Sequence, residues 1–214
     1  MPKAVLWDLD GTLVDSEEFH WQAWRETMKA NGVEITRSQF LATFGWRNDA
    51  ILAQWLGTGL NENDVSRIAG AKEACFRELV QSGGIAVLPG AAEWVRRLNG
   101  EGWLQAIASS APRANVQAVL DALAVVEGFQ ATVAAEDVQR GKPDPEVFLK
   151  AASLLGVTPQ ESVVVEDAAM GIEAASRAGM RSIGVSASKQ LPASLCVSSL
   201  ADLPRDAFDR LLVT

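Results

Sequence analysis

Short apolar segments that favour β-structure alternate with helical segments along most of this chain, and this alternation constrains its fold most strongly. The strand-like segments lie at residues 3–7, 104–108, 131–134, 162–165, 182–185 and, with a weaker pattern, 195–197. The helical patterns between them lie at residues 91–99, 113–123, 145–155 and 169–178. Strand–helix–strand units form right-handed crossovers, so the pattern predicts an α/β fold of the Rossmann-like type, a parallel sheet flanked by helices.

One long stretch directly after the first strand interrupts this alternation. It has no convincing strand, and its helical patterns lie at residues 17–30, 37–43, 48–55 and 63–80. Asp15 and Glu18 predict a capping-box-like start for the first of these helices. Ligands bind at the carboxyl edge of open α/β sheets, so an all-helical insertion here is placed to act as a lid. We expect a helical cap domain of residues 16–83 and an α/β core domain of residues 1–15 and 84–214.

Composition narrows the classes of function. The 27 acidic residues outnumber the 19 lysines and arginines, the net charge is −8, and no long basic run is present, which argues against nucleic acid or a membrane surface as partner. No apolar stretch reaches the roughly 18 residues of a membrane span, and the first residues lack the apolar core of a signal peptide. Cys75 and Cys196 lack metal-type spacing and fit buried small residues in a reducing compartment. We expect a cytoplasmic monomer that acts on a small molecule.

Acidic side chains follow the first and the fourth strand of the predicted core. Asp8 and Asp10 come directly after the first strand, and Glu166 and Asp167 come directly after the fourth. Neighbouring parallel strands would bring these carboxylates into one cleft, where their mutual repulsion calls for a cation. Carboxylate oxygens without imidazoles favour Mg²⁺, which commonly shares its coordination shell with a substrate phosphate. Taken alone, Asp167 is also a good helix N-cap.

Two further polar motifs follow predicted strands. Ser109 and Ser110 precede a helix, where hydroxyl groups and backbone N–H groups form an anion site, although serine is also a common helix cap. Lys142 lies in a loop that Pro143 and Pro145 restrict. A lysine held beside carboxylates would neutralise a phosphate and a nucleophile together, whereas a lone loop lysine is normally solvated.

The four polar clusters, in this order and with a helical insertion after the first, resemble the haloacid dehalogenase superfamily, in its branch of phosphatases and β-phosphoglucomutases with a helical cap. The matching residues are Asp8-x-Asp10-Gly11-Thr12, Ser109, Lys142-Pro143 and Glu166-Asp167. Each motif is weak by itself, but the ordered set is specific and covers nearly the whole chain.

The resemblance implies phosphoryl transfer through a covalent aspartyl-phosphate. Asp8 is then the nucleophile, and Asp10 is the general acid that protonates the leaving alcohol and afterwards the base that activates water. For the acid step we expect a raised pKa of Asp10 when the cap is closed.

The same resemblance implies a Mg²⁺ cofactor and a set of phosphate ligands. Asp8, the backbone carbonyl of Asp10, and Asp167 would hold the metal, with Glu166 assisting. The residues expected at the other phosphate oxygens are Gly11, Thr12, Ser109, Ser110 and Lys142.

The cap supplies the candidates for substrate selection. His20 and Lys72 lie at positions similar to those where related phosphoglucomutases carry residues that regulate the general acid, although a lone histidine is commonly structural. Arg47 is placed to pair with a second anion or a sugar hydroxyl, or else is an exposed helix charge. Trp24 lies one turn after His20, and Trp46 is a candidate for stacking on a sugar ring.

The leading hypothesis is a Mg²⁺-dependent phosphatase for a small phosphomonoester such as a sugar phosphate. A phosphoglucomutase, which uses the same site, is the closest alternative, and residues 11–16 resemble the phosphatases more closely. A signalling receiver domain is an alternative of a different class, since it shares the acidic cluster. It is disfavoured because its phosphorylated aspartate follows a middle strand and it has no helical insertion. A non-catalytic binding module is disfavoured, because every catalytic position that the resemblance implies is occupied.

Overall fold

A computed structural model describes residues 2–122, 128–188 and 190–212 of the chain. Six parallel strands in this part form one sheet: β1 (Ala4–Trp7), β4 (Leu104–Ala108), β5 (Ala131–Val133), β6 (Ser162–Glu166), β7 (Arg181–Val185) and β8 (Leu195–Val197). Their order across the sheet is β5-β4-β1-β6-β7-β8. The central strands are rich in valine and alanine because both faces of the sheet are covered.

Helices cover both faces of this sheet, as the alternation predicts. They are α5 (Ala91–Gly100), α6 (Arg113–Ala122), α7 (Glu146–Leu155), α8 (Ala169–Arg177) and α9 (Ala207–Leu212). Successive residues of β1 point to opposite faces: Val5 and Trp7 pack in one apolar cluster, and Ala4 and Leu6 pack in the other. The predicted end of α6 at Leu123 lies outside the described residues.

Four helices follow β1 and form the insertion: α1 (Glu17–Ala30), α2 (Arg37–Thr43), α3 (Asn48–Leu56) and α4 (Glu62–Gly83). Their inner faces share a separate apolar cluster that includes Met28, Phe40 and Leu52. The parallel sheet, the flanking helices and the all-helical insertion after the first strand are therefore confirmed.

Two short strands that the sequence analysis missed lie where the chain enters and leaves the insertion. β2 (Val14–Asp15) pairs with β3 (Ala86–Val87) in antiparallel register. The predicted capping box of α1 is wrong, because Asp15 belongs to β2 and Ser16 is the residue before the helix. A capping box is present instead at α2, between Thr36 and Gln39.

Among the described residues, no helix combines the length and the apolar character that a membrane span requires.

Candidate active site

The carboxyl edge of the sheet brings the predicted motifs together. β1 is in register with both β4 and β6, so these three strands end at the same level. Asp8 directly follows β1 and donates its N–H to the carbonyl of Val165 at 3.0 Å. Ser109 follows β4, and Glu166 ends β6. Side chains from three adjacent strands therefore meet above the middle of the sheet.

Three carboxylates and one ammonium group form the centre of this site. Asp8, Glu166 and Asp167 each offer an oxygen atom, and these atoms lie within 4.8 Å of one another. Nζ of Lys142 donates to Oδ1 of Asp8 at 2.6 Å and also to Oε1 of Glu166. One positive charge cannot balance three negative charges at this separation, so the donor set fits a divalent cation with oxygen ligands, such as Mg²⁺.

The pKa values of the cluster show the same excess of negative charge. Burial raises the pKa of Asp8 to about 8, and Glu166 adds to that rise while Lys142 opposes it. Burial, together with the charges of Glu166 and Asp8, also raises the pKa of Asp167 well above its ordinary value. Burial alone would lower the pKa of Lys142, but its ion pairs with Asp8 and Glu166 raise it instead. Without a cation, Asp8 and Asp167 therefore hold a proton more tightly than ordinary carboxyl groups do.

Two glycines make room for the carboxylates of the cluster, because neither carries a side chain. A Cβ atom at Gly11 would lie 2.3 Å from Oδ2 of Asp167, and one at Gly171 would lie 1.9 Å from Oε1 of Glu166. Gly11 also has a φ of 80°, which L side chains rarely adopt. The backbone approaches the carboxylates so closely that a side chain at either position would displace Asp167 or Glu166.

Asp10 is held by two residues of the insertion. Nζ of Lys72 donates to Nδ1 of His20 at 2.9 Å, and Nε2 of His20 lies 3.2 Å from Oδ1 of Asp10. Because an ammonium group cannot accept a hydrogen bond, Nδ1 is the acceptor and Nε2 carries the proton that it donates to Asp10. Burial and the charge of Lys72 lower the pKa of His20, which favours this neutral ring.

The expected rise in the pKa of Asp10 is a prediction that this arrangement contradicts. Burial does act to raise that pKa, but the hydrogen bond that His20 donates and the positive charge of Lys72 behind it outweigh burial, so the pKa of Asp10 is lowered. The expected rise followed from the acidic neighbours of Asp10, whereas the two basic residues of the insertion outweigh them.

One cavity of about 760 Å³ lies between the sheet edge and the insertion, within the size range of small-molecule sites. The predicted site residues in its wall are Asp8, Asp10, Gly11, Thr12, His20, Trp24, Trp46, Lys72, Ser109, Ser110, Lys142, Glu166 and Asp167. Their roles in binding and catalysis remain predictions, but the fold does bring them to one place.

Several of these residues are less available to a ligand than their motifs suggest. Thr12 is 0% exposed, and Trp24 is 1% exposed within the cluster of the insertion. Oγ of Ser109 accepts the N–H of Ala111 at 3.0 Å, which leaves the hydroxyl proton to donate. The first N–H of α6, on Arg113, donates to a glutamate carboxylate at 2.9 Å rather than facing the cavity. This N–H group is therefore already paired within the protein, and the anion site at Ser109 and Ser110 stays a prediction.

Arg47 is the predicted site residue that the structure places elsewhere. It is not part of the described cavity wall. The aliphatic part of the Arg47 side chain packs against Gly141, where a Cβ atom would lie 2.4 Å from Cδ of Arg47. Nε of Arg47 lies 3.5 Å from Oδ1 of Asp49. The physical reason is that α3 begins next to the loop of Lys142, so the side chain covers that loop instead of reaching the cavity.

Glu73 is a cavity residue that the sequence analysis missed. It is buried beside Lys72 on α4 and accepts hydrogen bonds from Lys72 and Asn48. The available signal was the spacing of Ile68, Lys72, Phe76 and Val80, in which a lysine occupies one position of an apolar stripe at intervals of four residues. A buried lysine needs a buried acidic partner, and the next residue supplies it.

Comparison with known proteins agrees with this geometry. The family model of haloacid dehalogenase-like hydrolases matches residues 5–185. Protein CbbY of Rhodobacter capsulatus is 34% identical over 84% of this chain and 83% of its own length. Hexitol phosphatase A of Escherichia coli is 35% identical over 89% of this chain and 86% of its own length.

A solved structure matches over nearly the whole chain. The β-phosphoglucomutase of Clostridium difficile superposes with a TM-score of 0.89 and 27% identity, covering 99% of this chain and 97% of that one. The relatives therefore include both a named phosphatase and a named phosphomutase.

Proposed function

This chain belongs to the haloacid dehalogenase-like hydrolase family, and we propose that it is a phosphatase that hydrolyses a small sugar phosphate through an aspartyl-phosphate on Asp8. The observation that carries the proposal is the placement of Lys142 between Asp8 and Glu166 at the base of the cavity. An ammonium group beside the nucleophile can neutralise the substrate phosphate as the carboxylate approaches it.

Asp8 and Asp10 divide the chemistry between them. An oxygen of Asp8 forms a bond to phosphorus while the bond between phosphorus and the ester oxygen breaks, and Asp10 gives that oxygen its proton. Asp10 then takes a proton from water, which attacks the aspartyl-phosphate and releases inorganic phosphate. His20 and Lys72 lower the pKa of Asp10, so the arrangement described above favours the ionised carboxylate that the second step needs, whereas the first step needs the protonated carboxyl group.

The remaining polar residues bind and orient the phosphate. Lys142 is fixed by its two carboxylate partners, and the hydroxyl of Ser109 is held in place by the N–H of Ala111. Asp8, Glu166, Asp167 and the backbone carbonyl of Asp10 would hold Mg²⁺, whose charge would stabilise phosphate oxygens when it is bound.

The substrate class follows from the wall of the cavity and from the named relatives. Above the carboxylates the wall combines aromatic and polar groups, among them Trp46, Phe44 and Asn48. Aromatic faces and amides suit the apolar faces and the hydroxyls of a sugar or polyol. Hexitol phosphatase A, by its name, acts on such a compound.

We also propose that residues 16–83 form the cap domain and the rest of the chain forms the core. The separate apolar cluster of the four inserted helices supports this division, and the β2–β3 pair lies where the chain crosses between the two parts. The monomeric state and the cytoplasmic location stay predictions.

A phosphomutase is the second candidate, favoured by the superposition on a β-phosphoglucomutase. It would use the same residues but transfer the phosphoryl group of Asp8 back to a bound sugar phosphate. The two reactions differ in product, because only the phosphatase releases inorganic phosphate.

The test is phosphate release from a panel of sugar phosphates and other phosphomonoesters, with Mg²⁺ and with a chelator. We expect Mg²⁺-dependent release that falls at least about 10³-fold in Asp8→Asn. Asp121→Asn, on the exposed face of α6, is the matched control and should keep normal rates. Near-normal turnover by Asp8→Asn would remove the nucleophile assignment. Conversion of glucose 1-phosphate and its bisphosphate to a 6-phosphate, without free phosphate, would establish the mutase instead.

A further inference from the structure

A chain of buried polar side chains connects the insertion with the core through Glu73. Its Oε1 accepts from Nζ of Lys72 at 2.9 Å and from Nδ2 of Asn48 at 2.6 Å. Its Oε2 accepts from Nδ2 of Asn115, which lies on α6 of the core. The side-chain carbonyl of Asn115 in turn accepts from Nη1 of Arg77 at 2.9 Å.

These contacts exclude water, which makes their loss costly. Glu73 is 6% exposed and Asn115 is 1% exposed. Burial raises the pKa of Glu73, but Lys72, His20 and Asn48 together lower it, so the group is a charged acceptor. A hydrogen bond to a buried charged group contributes more than one between neutral groups, and a partner left unpaired adds its desolvation cost.

The same carboxylate faces the reaction cavity. Lys72, Asn48 and Glu73 all lie in the cavity wall, whereas Asn115 and Arg77 do not. Asn115 fixes Oε2 of Glu73, and this leaves Oε1 oriented toward the two donors at the cavity. The contact of Glu73 with Asn115 thus fixes the positions of Lys72 and Asn48 relative to a bound substrate.

We propose that Glu73 and Asn115 form a latch between insertion and core, and that they are positioning residues which place Lys72 and Asn48 against the substrate's leaving group. This inference rests on the proposed function for its activity readout. It assigns no chemistry to either residue.

Exchanging the two partners tests the latch. Asn115→Asp sets two carboxylates against each other, and Glu73→Gln sets an amide N–H₂ group against the N–H₂ group of Asn115. In the double variant Glu73→Gln with Asn115→Asp, the new amide donates to the new carboxylate, which still accepts from Arg77. Every hydrogen bond is then retained, with the donor and acceptor reversed in one of them.

We expect each single variant to lower kcat/KM for the preferred sugar phosphate by about 10- to 100-fold, mainly through a higher KM. Hydrolysis of a small aryl phosphate, which lacks a sugar for the cap residues to contact, should change by less than about threefold. The double variant should recover to within about threefold of the unmodified protein. Equal losses on both substrates, or additive losses in the double variant, would overturn the latch.

Small-angle scattering gives a readout that needs no substrate. The single variants should have a larger radius of gyration than the unmodified protein, and the double variant should match it. Arg67→Met is the control, because Arg67 also lies on α4 but pairs with Asn31 inside the insertion. It should leave both readouts unchanged. If no ester is hydrolysed, the proposed function fails while the scattering series still decides the latch; unchanged scattering in the single variants would reject it.

Discussion

Three carboxylates that share a small buried volume with one lysine determine the chemistry of this site at the scale of single residues. Burial raises the pKa values of Asp8 and Asp167, and the neighbouring carboxylates add to the rise because Lys142 cannot balance the whole negative charge. Protons and a metal ion therefore compete for the same oxygens. The residues that attract the cation also determine how the protein responds to pH.

The first prediction is that stabilisation by Mg²⁺ increases with pH. The folded-state pKa values of Asp8 and Asp167 lie above their unfolded values, so these groups stabilise the metal-free fold at low pH. That contribution is lost as the pH rises, in the case of Asp8 toward its pKa of about 8. Mg²⁺ displaces the same protons, so the rise in Tm on adding Mg²⁺ should be larger at about pH 8 than at about pH 5. Thermal scans with Mg²⁺ and with chelator measure this difference.

Asp167→Asn is the informative variant for that experiment. It removes one of the titrating ligands, so both the Mg²⁺ effect and its pH dependence should shrink. A Mg²⁺ effect that is flat or falls with rising pH in the unmodified protein would contradict the assigned competition.

The sequence predicted the carboxylate cluster but not the charge state of Asp10. Asp8 and Glu166 could be located because polar residues that follow buried parallel strands must meet at one sheet edge. The pKa of Asp10 depends on the contact of His20 with Lys72, which are 52 positions apart on different helices. Local pattern carries no information about such a contact, and only the packing of α1 against α4 creates it.

Helix α8 shows how one element serves both packing and the site. It begins just after Asp167, and its third residue, Gly171, lies against the carboxylate of Glu166. A helical glycine normally costs stability relative to alanine, so a glycine here indicates a steric need. Gly70 on α4 provides the contrast, because a Cβ atom there would meet nothing within 4 Å.

The second prediction compares alanine at these two helical glycines. Gly171→Ala pushes Glu166 away from Lys142, so we expect a loss of about 1–3 kcal/mol in the free energy of unfolding and at least a tenfold lower kcat/KM. Gly70→Ala should instead stabilise the protein by roughly 0.5–1 kcal/mol without changing activity. Chemical denaturation and phosphate release measure both effects. Similar behaviour of the two variants would show that the close approach to Glu166 has no functional importance.

The elements that the sequence predicted best are those with long periodic patterns. The strands of the sheet and the helices of the insertion appear within a few residues of their expected bounds. β2 and β3 were missed because each has two residues and neither shows a period. Their pairing depends on the insertion bringing the two chain crossings together, which is a tertiary effect.

The side chains of the insertion pack in two different apolar clusters. Phe76 and Val80 of α4 pack in the same cluster as Trp7 of the central strand, so the base of the insertion belongs to the main core. Leu52 and Met28 pack in the separate cluster farther along the insertion. The base of the insertion can therefore unfold only together with the sheet, whereas the part around Leu52 and Met28 can unfold locally by itself.

The third prediction uses one substitution in each cluster. Leu52 and Leu6 are both fully buried, the first in the insertion and the second in the sheet. Leu→Ala at either site should cost roughly 2–5 kcal/mol of local stability. Because the cluster of Leu52 is separate, Leu52→Ala should accelerate amide hydrogen exchange in α2, α3 and the parts of α1 and α4 that pack in this cluster, while the strands keep their protection. Leu6→Ala should accelerate exchange throughout the chain, since the sheet supports every other element. Faster exchange in the strands of Leu52→Ala, equal to that in the insertion, would show that residues 16–83 are not a separate domain.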